Sequence, residues 1–87
     1  MISDNEYKRI YWASRRGMLE LDLILIPFVE NQLQQLSEAD QQAYIVLLEE
    51  EDTDLFSWFI SRKKPENSQL AGIVGQIIAY RQMAAKP

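Results

Sequence analysis

One stretch of the chain, from Arg15 to Asp22, concentrates the side chains that could do chemistry. It holds two arginines, a glycine and the carboxylates of Glu20 and Asp22, directly before the longest apolar run. An arginine offers a planar fork of donors to a carboxylate or phosphate, and a glycine lets another backbone approach closely. The stretch therefore predicts either an active site or a recognition surface.

Two further carboxylates, Asp52 and Asp54, lie in an acidic run over 49–54. This run could bind a basic surface or, weakly, a divalent cation, but it lacks the spaced oxygens and the glycine of an EF-hand loop. A solvated turn that supplies helix caps is the favoured interpretation.

The residue types that the sequence lacks exclude more kinds of chemistry than the residue types that it contains. The 87 residues include no His and no Cys, so the commonest general base, the thiolate nucleophile and the usual zinc and haem ligands are lacking. The three glycines stand at 17, 72 and 75 and form no phosphate-binding loop, and no G-x-S-x-G elbow occurs. We therefore expect a protein that is not an enzyme, with no metal site and no tightly bound cofactor.

Charge and hydropathy point to a partner protein. Nine Lys and Arg against thirteen Asp and Glu give a net charge of −4, which disfavours nucleic-acid binding through a positive field. No secretory signal pattern begins the chain, and the apolar segment from Leu19 to Val29 is too short to span a membrane. We expect a cytoplasmic protein without membrane insertion, monomeric when free.

Helical spacing runs through the chain, and no alternation typical of strands appears. The expected N-caps are Ser3, Ser37, Asp52 or Thr53, and Asn67 or Ser68. Aromatic residues are expected in the core, with an aromatic binding face as the alternative. The sequence predicts an all-α antiparallel bundle of about five short helices, forming one domain over 1–87 with a frayed tail at about 84–87.

Proline and glycine mark positions where helices should bend, end or approach each other. Pro27 cannot donate to the carbonyl of Leu23, so we expect a kink there or a break into two shorter helices. Gly17 suits the left-handed conformation that ends the first helix. Gly72 and Gly75 suit close packing of helix backbones in the last helix.

The spacing Arg-Gly-x-x-Glu at 16–20 allows two interpretations from the residues alone. In the first, Arg15 and Arg16 end one helix, Gly17 turns the chain, and the carboxylates begin the next helix at its positive end. In the second, Arg16 already lies in the second helix and shares a face with Glu20. That i, i+4 order is unfavourable and would indicate selection by an outside partner. The two interpretations are equal at this point.

A longer pattern, from about Tyr7 to Pro65, resembles a known family. It consists of Ile10-x-Trp12-x-x-Arg15-Arg16-Gly17-Met18-x-Glu20-Leu21-Asp22, then Pro27-Phe28, then Leu47-Leu48-Glu49 and Asp52-x-Asp54-Leu55-Phe56-x-Trp58. In order and spacing it resembles the succinate dehydrogenase assembly factor family.

The resemblance implies a small helical bundle that binds the flavoprotein subunit of succinate dehydrogenase, and of fumarate reductase in bacteria, and promotes its covalent flavinylation. FAD would then be the group attached to the partner. The family motif maps onto Arg16, Gly17 and Glu20, and we expect a partner-binding surface made of Arg15, Arg16, Gly17, Glu20, Asp22, Asp52 and Asp54. A regulatory module, such as an antitoxin or a transcription-associated protein, and a non-covalent flavin carrier are the alternatives.

Overall fold

The structure, a computed structural model, describes residues 2–84. It contains α1 (Asp4–Ala13), α2 (Leu19–Gln32), α3 (Glu38–Leu47), α4 (Asp52–Phe59) and α5 (Ser68–Ala84), with a short 3-10 turn at Leu33–Gln35. Residues 2–84 include no strand, so the predicted all-α bundle of about five helices is confirmed. The expected frayed tail lies, apart from Ala84, outside the described residues.

Predicted capping side chains fix the starts of three helices. The hydroxyls of Ser3 and Ser37 each accept a hydrogen bond from the backbone amide three residues further on, at 3.2 Å. The side-chain oxygen of Asn67 accepts from the amide of Leu70 at 3.1 Å. Each cap satisfies an amide that has no partner within its own helix, and so defines where α1, α3 and α5 begin.

The core is built around α2, which packs against α1, α4 and α5. Its buried residues are Leu21, Ile24, Leu25, Phe28 and Val29. The ring of Phe28 lies 5.8 Å from those of Tyr44 and Tyr80, which belong to α3 and α5. The helix is apolar around most of its circumference, and its neighbours cover several of its sides but leave Leu19 and Leu23 exposed. None of the helices described has the length and apolarity needed to cross a membrane.

Pro27 lies within α2 and does not divide it, because the helix continues to Gln32 before the 3-10 turn. The predicted break into two shorter helices is therefore wrong. Pro27 is half-buried and Leu23, one turn earlier, is 60% exposed. The carbonyl of Leu23, which receives no hydrogen bond from Pro27, thus lies near the surface, where water can replace the missing donor.

One further prediction is wrong on the outside of the bundle, and another holds only in part. Gly72 and Gly75 are exposed, and a Cβ added at either would meet nothing within 4 Å, so close backbone packing does not explain them. The aromatic residues do not all enter the core. Phe59 is buried, whereas Trp12 on α1 is 65% exposed.

Candidate functional site

Arg16 lies where the ends of four helices meet. Its guanidinium donates four hydrogen bonds. Nε donates to Asp52 Oδ1 at 2.7 Å, and Nη2 donates to the carbonyl of Glu50 at 2.8 Å. Nη1 donates to the carbonyls of Ala13 at 2.9 Å and Leu48 at 3.1 Å. Its backbone amide donates to Asp22 Oδ1 at 2.6 Å. The arrangement is named here the Arg16 junction and comprises Ala13, Arg16, Gly17, Asp22, Leu48, Glu50 and Asp52.

The junction places a positive charge where two helices need one. The last carbonyls of a helix lack partners within it and carry the negative end of its dipole. Neither α1 nor α3 has a basic residue in its last turn. Arg16 supplies the charge from outside both helices, because its guanidinium reaches the last carbonyl of α1 and the carbonyls of Leu48 and Glu50 just after α3.

These contacts decide between the two interpretations of the motif. The second helix begins at Leu19, so Arg16 precedes it and does not share a helical face with Glu20. The interpretation that placed Arg16 within this helix is wrong. The first interpretation is correct for Glu20 and Asp22, which lie in the first turn of α2, at its positive end. It is wrong for Arg15 and Arg16, because α1 ends at Ala13, before both arginines.

Asp52 closes the junction from α4. Its Oδ1 accepts from Arg16 and its Oδ2 accepts from the amide of Gly17 at 3.1 Å. The hydrogen bond from Arg16, helped by the weaker one from Gly17, holds the pKa of the Asp52 carboxyl below its ordinary value, although partial burial opposes this shift. The predicted capping role of Asp52 or Thr53 is wrong, because Glu51 is the N-cap of α4 and makes no side-chain capping bond.

Gly17 is needed here for a different reason from the one predicted. The first helix ends at Ala13, and none of the described glycines has a positive φ, so the left-handed helix end assigned to Gly17 is wrong. A Cβ added at Gly17 would lie 3.3 Å from Asp52 Oδ2, closer than ordinary van der Waals contact. The glycine therefore allows the backbone to approach the carboxylate closely enough for its amide to donate.

Arg15 points to a neighbouring surface. Its Nε lies 3.8 Å from Asp22 Oδ2, and its guanidinium carbon lies 5.8 Å from the centre of the Trp12 ring. The Arg15 side chain is 52% exposed, against 14% for Arg16. The two adjacent arginines thus differ in function, since only Arg15 keeps most of its donors open to another molecule.

An exposed apolar surface adjoins Arg15. Trp12, Leu19 and Leu23 are 65, 69 and 60% exposed and lie on α1 and the first half of α2. Tyr11, Ile26 and Pro27 complete a shallow groove between these helices. This set is called the α1–α2 face. Large exposed apolar groups rimmed by charges are typical of protein interaction surfaces.

The remaining predicted site residues, Glu20 and Asp54, are both exposed. Within residues 2–84, the side chain of neither residue forms a hydrogen bond or an ion pair, although the backbone amide of Asp54 donates to the carbonyl of Glu51 at 3.1 Å. The structure thus brings Arg16, Gly17, Asp22 and Asp52 together and leaves Glu20 and Asp54 open to solvent.

A buried polar pair next to the junction was not predicted. The Ser14 hydroxyl donates to the carbonyl of Ile10 at 2.8 Å, so the Tyr44 hydroxyl donates to Ser14 Oγ at 2.7 Å. Burial raises the pKa of Tyr44 well above its ordinary value. Helical spacing places Ser14 on the inner side of α1, but its distance of 30 residues from Tyr44 left no local signal of the pairing.

The fold and the site define a class of protein. Residues 2–84 form a helical bundle in which an internally satisfied polar junction adjoins an open apolar surface, and they contain no cluster of acidic side chains arranged to hold a metal. These are the properties of a small helical interaction protein. The chain belongs to the family described as flavinator of succinate dehydrogenase, whose family model matches residues 8–81.

Individual relatives agree with this membership. The chain is 47% identical over 78 residues to the FAD assembly factor SdhE of Pseudomonas aeruginosa, and the aligned residues cover 90% of this chain and 93% of the relative. It is 42% identical over 80 residues to the protein of the same name from Vibrio cholerae, with 92% and 93% covered. The resemblance seen in the sequence is therefore confirmed.

A solved structure supports the fold as well. The solution structure of a UPF0350 protein superposes with a TM-score of 0.79 at 40% sequence identity, covering 97% of this chain and 89% of that one. The similarity extends over the bundle and is not confined to the motif.

Proposed function

We propose that this chain is a non-catalytic assembly factor that docks on the flavoprotein subunit of succinate dehydrogenase and promotes covalent attachment of FAD to that subunit. The observation that carries the proposal is the family match over residues 8–81. Relatives at 42–47% identity, named FAD assembly factors, support it. Fumarate reductase as a second partner, a cytoplasmic location and a monomeric free state are parts of the same proposal.

The absence of His and Cys limits what the chain itself contributes. Flavin is usually attached to proteins through these two side chains, and the chain contains neither. The covalent bond therefore forms on the partner, and the chain acts by holding the partner in a reactive arrangement. FAD is the group attached, and the chain need not bind it tightly.

The proposed docking surface combines the α1–α2 face with exposed predicted residues such as Arg15 and Glu20. The other predicted residues lie in the neighbouring Arg16 junction or on α4, namely Arg16, Gly17, Asp22, Asp52 and Asp54. Trp12, which lies beside Tyr11 and Arg15, is large, amphipathic and 65% exposed, and tryptophan is among the residue types that most often dominate binding energy. Arg15 and Glu20 add a cation and an anion at the rim, which can fix the orientation of the partner.

The direct test is reconstitution. Flavoprotein subunit produced without the chain is mixed with FAD, with and without the purified chain, and covalent flavin is measured by in-gel fluorescence after denaturation. We expect covalent flavin to increase strongly with the chain present. Equal flavinylation with and without the chain would contradict the proposal.

Substitutions test the surface separately from the activity. Trp12→Ala is expected to weaken binding to the flavoprotein subunit by about 2 kcal/mol, or roughly thirtyfold. Met83→Ala is the matched control, because Met83 is 71% exposed on α5 and lies outside the proposed surface. Equal loss in both variants would show that exposed apolar area, and not this surface, drives binding.

Titrations with ligands test the two alternatives. Quenching of flavin fluorescence by the chain alone would favour a flavin carrier. Salt-dependent binding to DNA would favour a regulatory module.

A further inference from the structure

The donors of Arg16 are almost fully used within the chain. A guanidinium has five N–H groups, and four hydrogen bonds lead from Arg16 to Asp52 and three backbone carbonyls. A bidentate contact with a carboxylate needs two parallel N–H groups. Arg16 therefore cannot offer its fork to a partner while the junction is closed.

The same bonds connect distant parts of the chain. Arg16 and Asp52 are 36 residues apart, and their contact joins the connection between α1 and α2 to the start of α4. A second bond from the Gly17 amide to Asp52 runs beside the first, and the bond from the Arg16 amide to Asp22 secures the start of α2. The backbone of the Arg-Gly-x-x-Glu motif is thereby held on both sides.

This network determines which groups remain free for a partner. Glu20 lies in the first turn of α2, immediately after the held segment, and is exposed. Leu19 begins the same helix, and Arg15 precedes the held arginine. The position of each of these groups depends on the segment that Arg16 and Asp52 hold.

We propose that Arg16 and Asp52 are positioning residues for the docking surface, and that contact with the partner is made by Arg15, Glu20 and the α1–α2 face. This inference rests on the proposed function and deepens it. It gives Asp52, which lies outside the motif, a defined part in flavinylation. It also assigns a role to each of the two adjacent motif residues, since Arg16 binds the carboxylate of Asp52 and Gly17 makes room for it.

The first test uses the free protein and needs no partner. Backbone amide spectra are recorded by NMR for wild type and for Asp52→Asn, with Asp4→Asn as the matched control in the first turn of α1. We expect the Gly17 and Arg16 amides to shift and to exchange with solvent at least several-fold faster in Asp52→Asn only. Unchanged Gly17 exchange in Asp52→Asn would overturn the inference.

The second test is a double-mutant cycle in binding to the flavoprotein subunit. Arg16→Lys keeps the charge but loses the fork, and Asp52→Asn keeps the shape but loses the charge. Each single variant is expected to bind the flavoprotein subunit about tenfold more weakly than wild type. The double variant is expected to lose no more affinity than the weaker-binding single variant, because both substitutions break the same contact. Asp52→Glu, which keeps a carboxylate, is expected to bind more tightly than Asp52→Asn.

Direct contact of Arg16 with the partner gives a different pattern. In that case either Arg16→Lys loses affinity while Asp52→Asn binds like wild type, or the double variant shows the product of the two single fold-losses in affinity. Either result overturns the inference. If Arg16 and Asp52 only position the surface, each single variant should support the wild-type flavinylation rate when it is present at a saturating concentration. The groups that contact the partner are intact in both variants.

Folding and the underlying function are checked in the same samples. Circular dichroism establishes that each variant keeps its helical content. If Asp52→Asn does not fold, the affinity of Asp52→Glu is compared with that of wild type instead. Wild-type protein that neither binds the flavoprotein subunit nor increases its covalent flavin refutes the proposed function. Wild-type activity with an unaffected Asp52→Asn variant refutes only the positioning role.

Discussion

The Arg16 junction and the outer face of α5 both carry glycine at the surface, but for opposite structural reasons. At the junction, Gly17 donates to Asp52, and a Cβ at this position would lie only 3.3 Å from Asp52 Oδ2. On α5, a Cβ at Gly72 or Gly75 would meet nothing within 4 Å. The contacts around a glycine, and not its exposure, therefore determine whether the position is constrained.

The largest effect is expected from removing the centre of the junction. Arg16→Ala should lower the free energy of unfolding by about 2 kcal/mol, because several carbonyls and a carboxylate lose a charged donor together. Urea unfolding followed by circular dichroism measures it. Arg9→Ala is the control, since Arg9 is exposed on α1, and should change stability by less than about 0.5 kcal/mol. Equal effects in both variants would remove the distinction between the junction and ordinary surface.

Acid should weaken the junction through Asp52. Because its pKa is lowered in the folded protein, the unfolded chain binds more protons between that value and the ordinary pKa near 4. The stabilisation is therefore fully present above about pH 4 and is lost as pH falls through the folded pKa. Asp52→Asn should lose less stability than wild type between about pH 5 and pH 2, as measured by urea unfolding.

The Arg16→Ala background provides the control for this pH dependence. Asp52 loses its main partner there, so adding Asp52→Asn should change the acid curve much less than it does in the wild-type background. The same change in both backgrounds would mean that the acid sensitivity comes from another group.

A smaller loss is expected from crowding the junction. Gly17→Ala should destabilise the protein by about 1 kcal/mol, because the carboxylate of Asp52 must move away from the new methyl group while two donors hold it. Thermal unfolding of the variant measures this. A neutral result would show that the carboxylate can move freely and that the junction is loose.

The smallest effect, and the opposite sign, is expected on α5. Gly72→Ala should stabilise the protein by about 0.5 kcal/mol, because alanine is favoured over glycine inside a helix and the added Cβ meets nothing. Gly75→Ala serves as an independent repeat of the same change. Destabilisation at both positions would contradict the open surroundings of these two glycines.

The helix starts and the buried stripe could be predicted because they depend on local patterns. Ser3 and Ser37 have a fixed spacing to the amides they cap, and residues such as Ile73 and Ile77 recur at the helical period. These signals lie within a few residues of the structure they determine.

The Arg16 junction could not be predicted, because three of the four acceptors of its guanidinium are backbone carbonyls. Every residue has a carbonyl, so Ala13, Leu48 and Glu50 carry no signal in their side chains. The carboxylate of Asp52 was visible, but at the start of a helix it suits a cap as well as an ion pair. Only the folded chain shows which acceptor is in reach.

The exposed indole of Trp12 also gives an optical signal by which the proposed docking can be followed. The chain has only two tryptophans, and Trp58 is half-buried, so Trp58→Phe isolates the emission of Trp12. Indole emission moves to shorter wavelength when water is removed from the ring, and it overlaps the absorption of flavin. Docking on a flavin-free subunit should therefore shift the emission to the blue, and a flavin close to the interface should quench it by energy transfer.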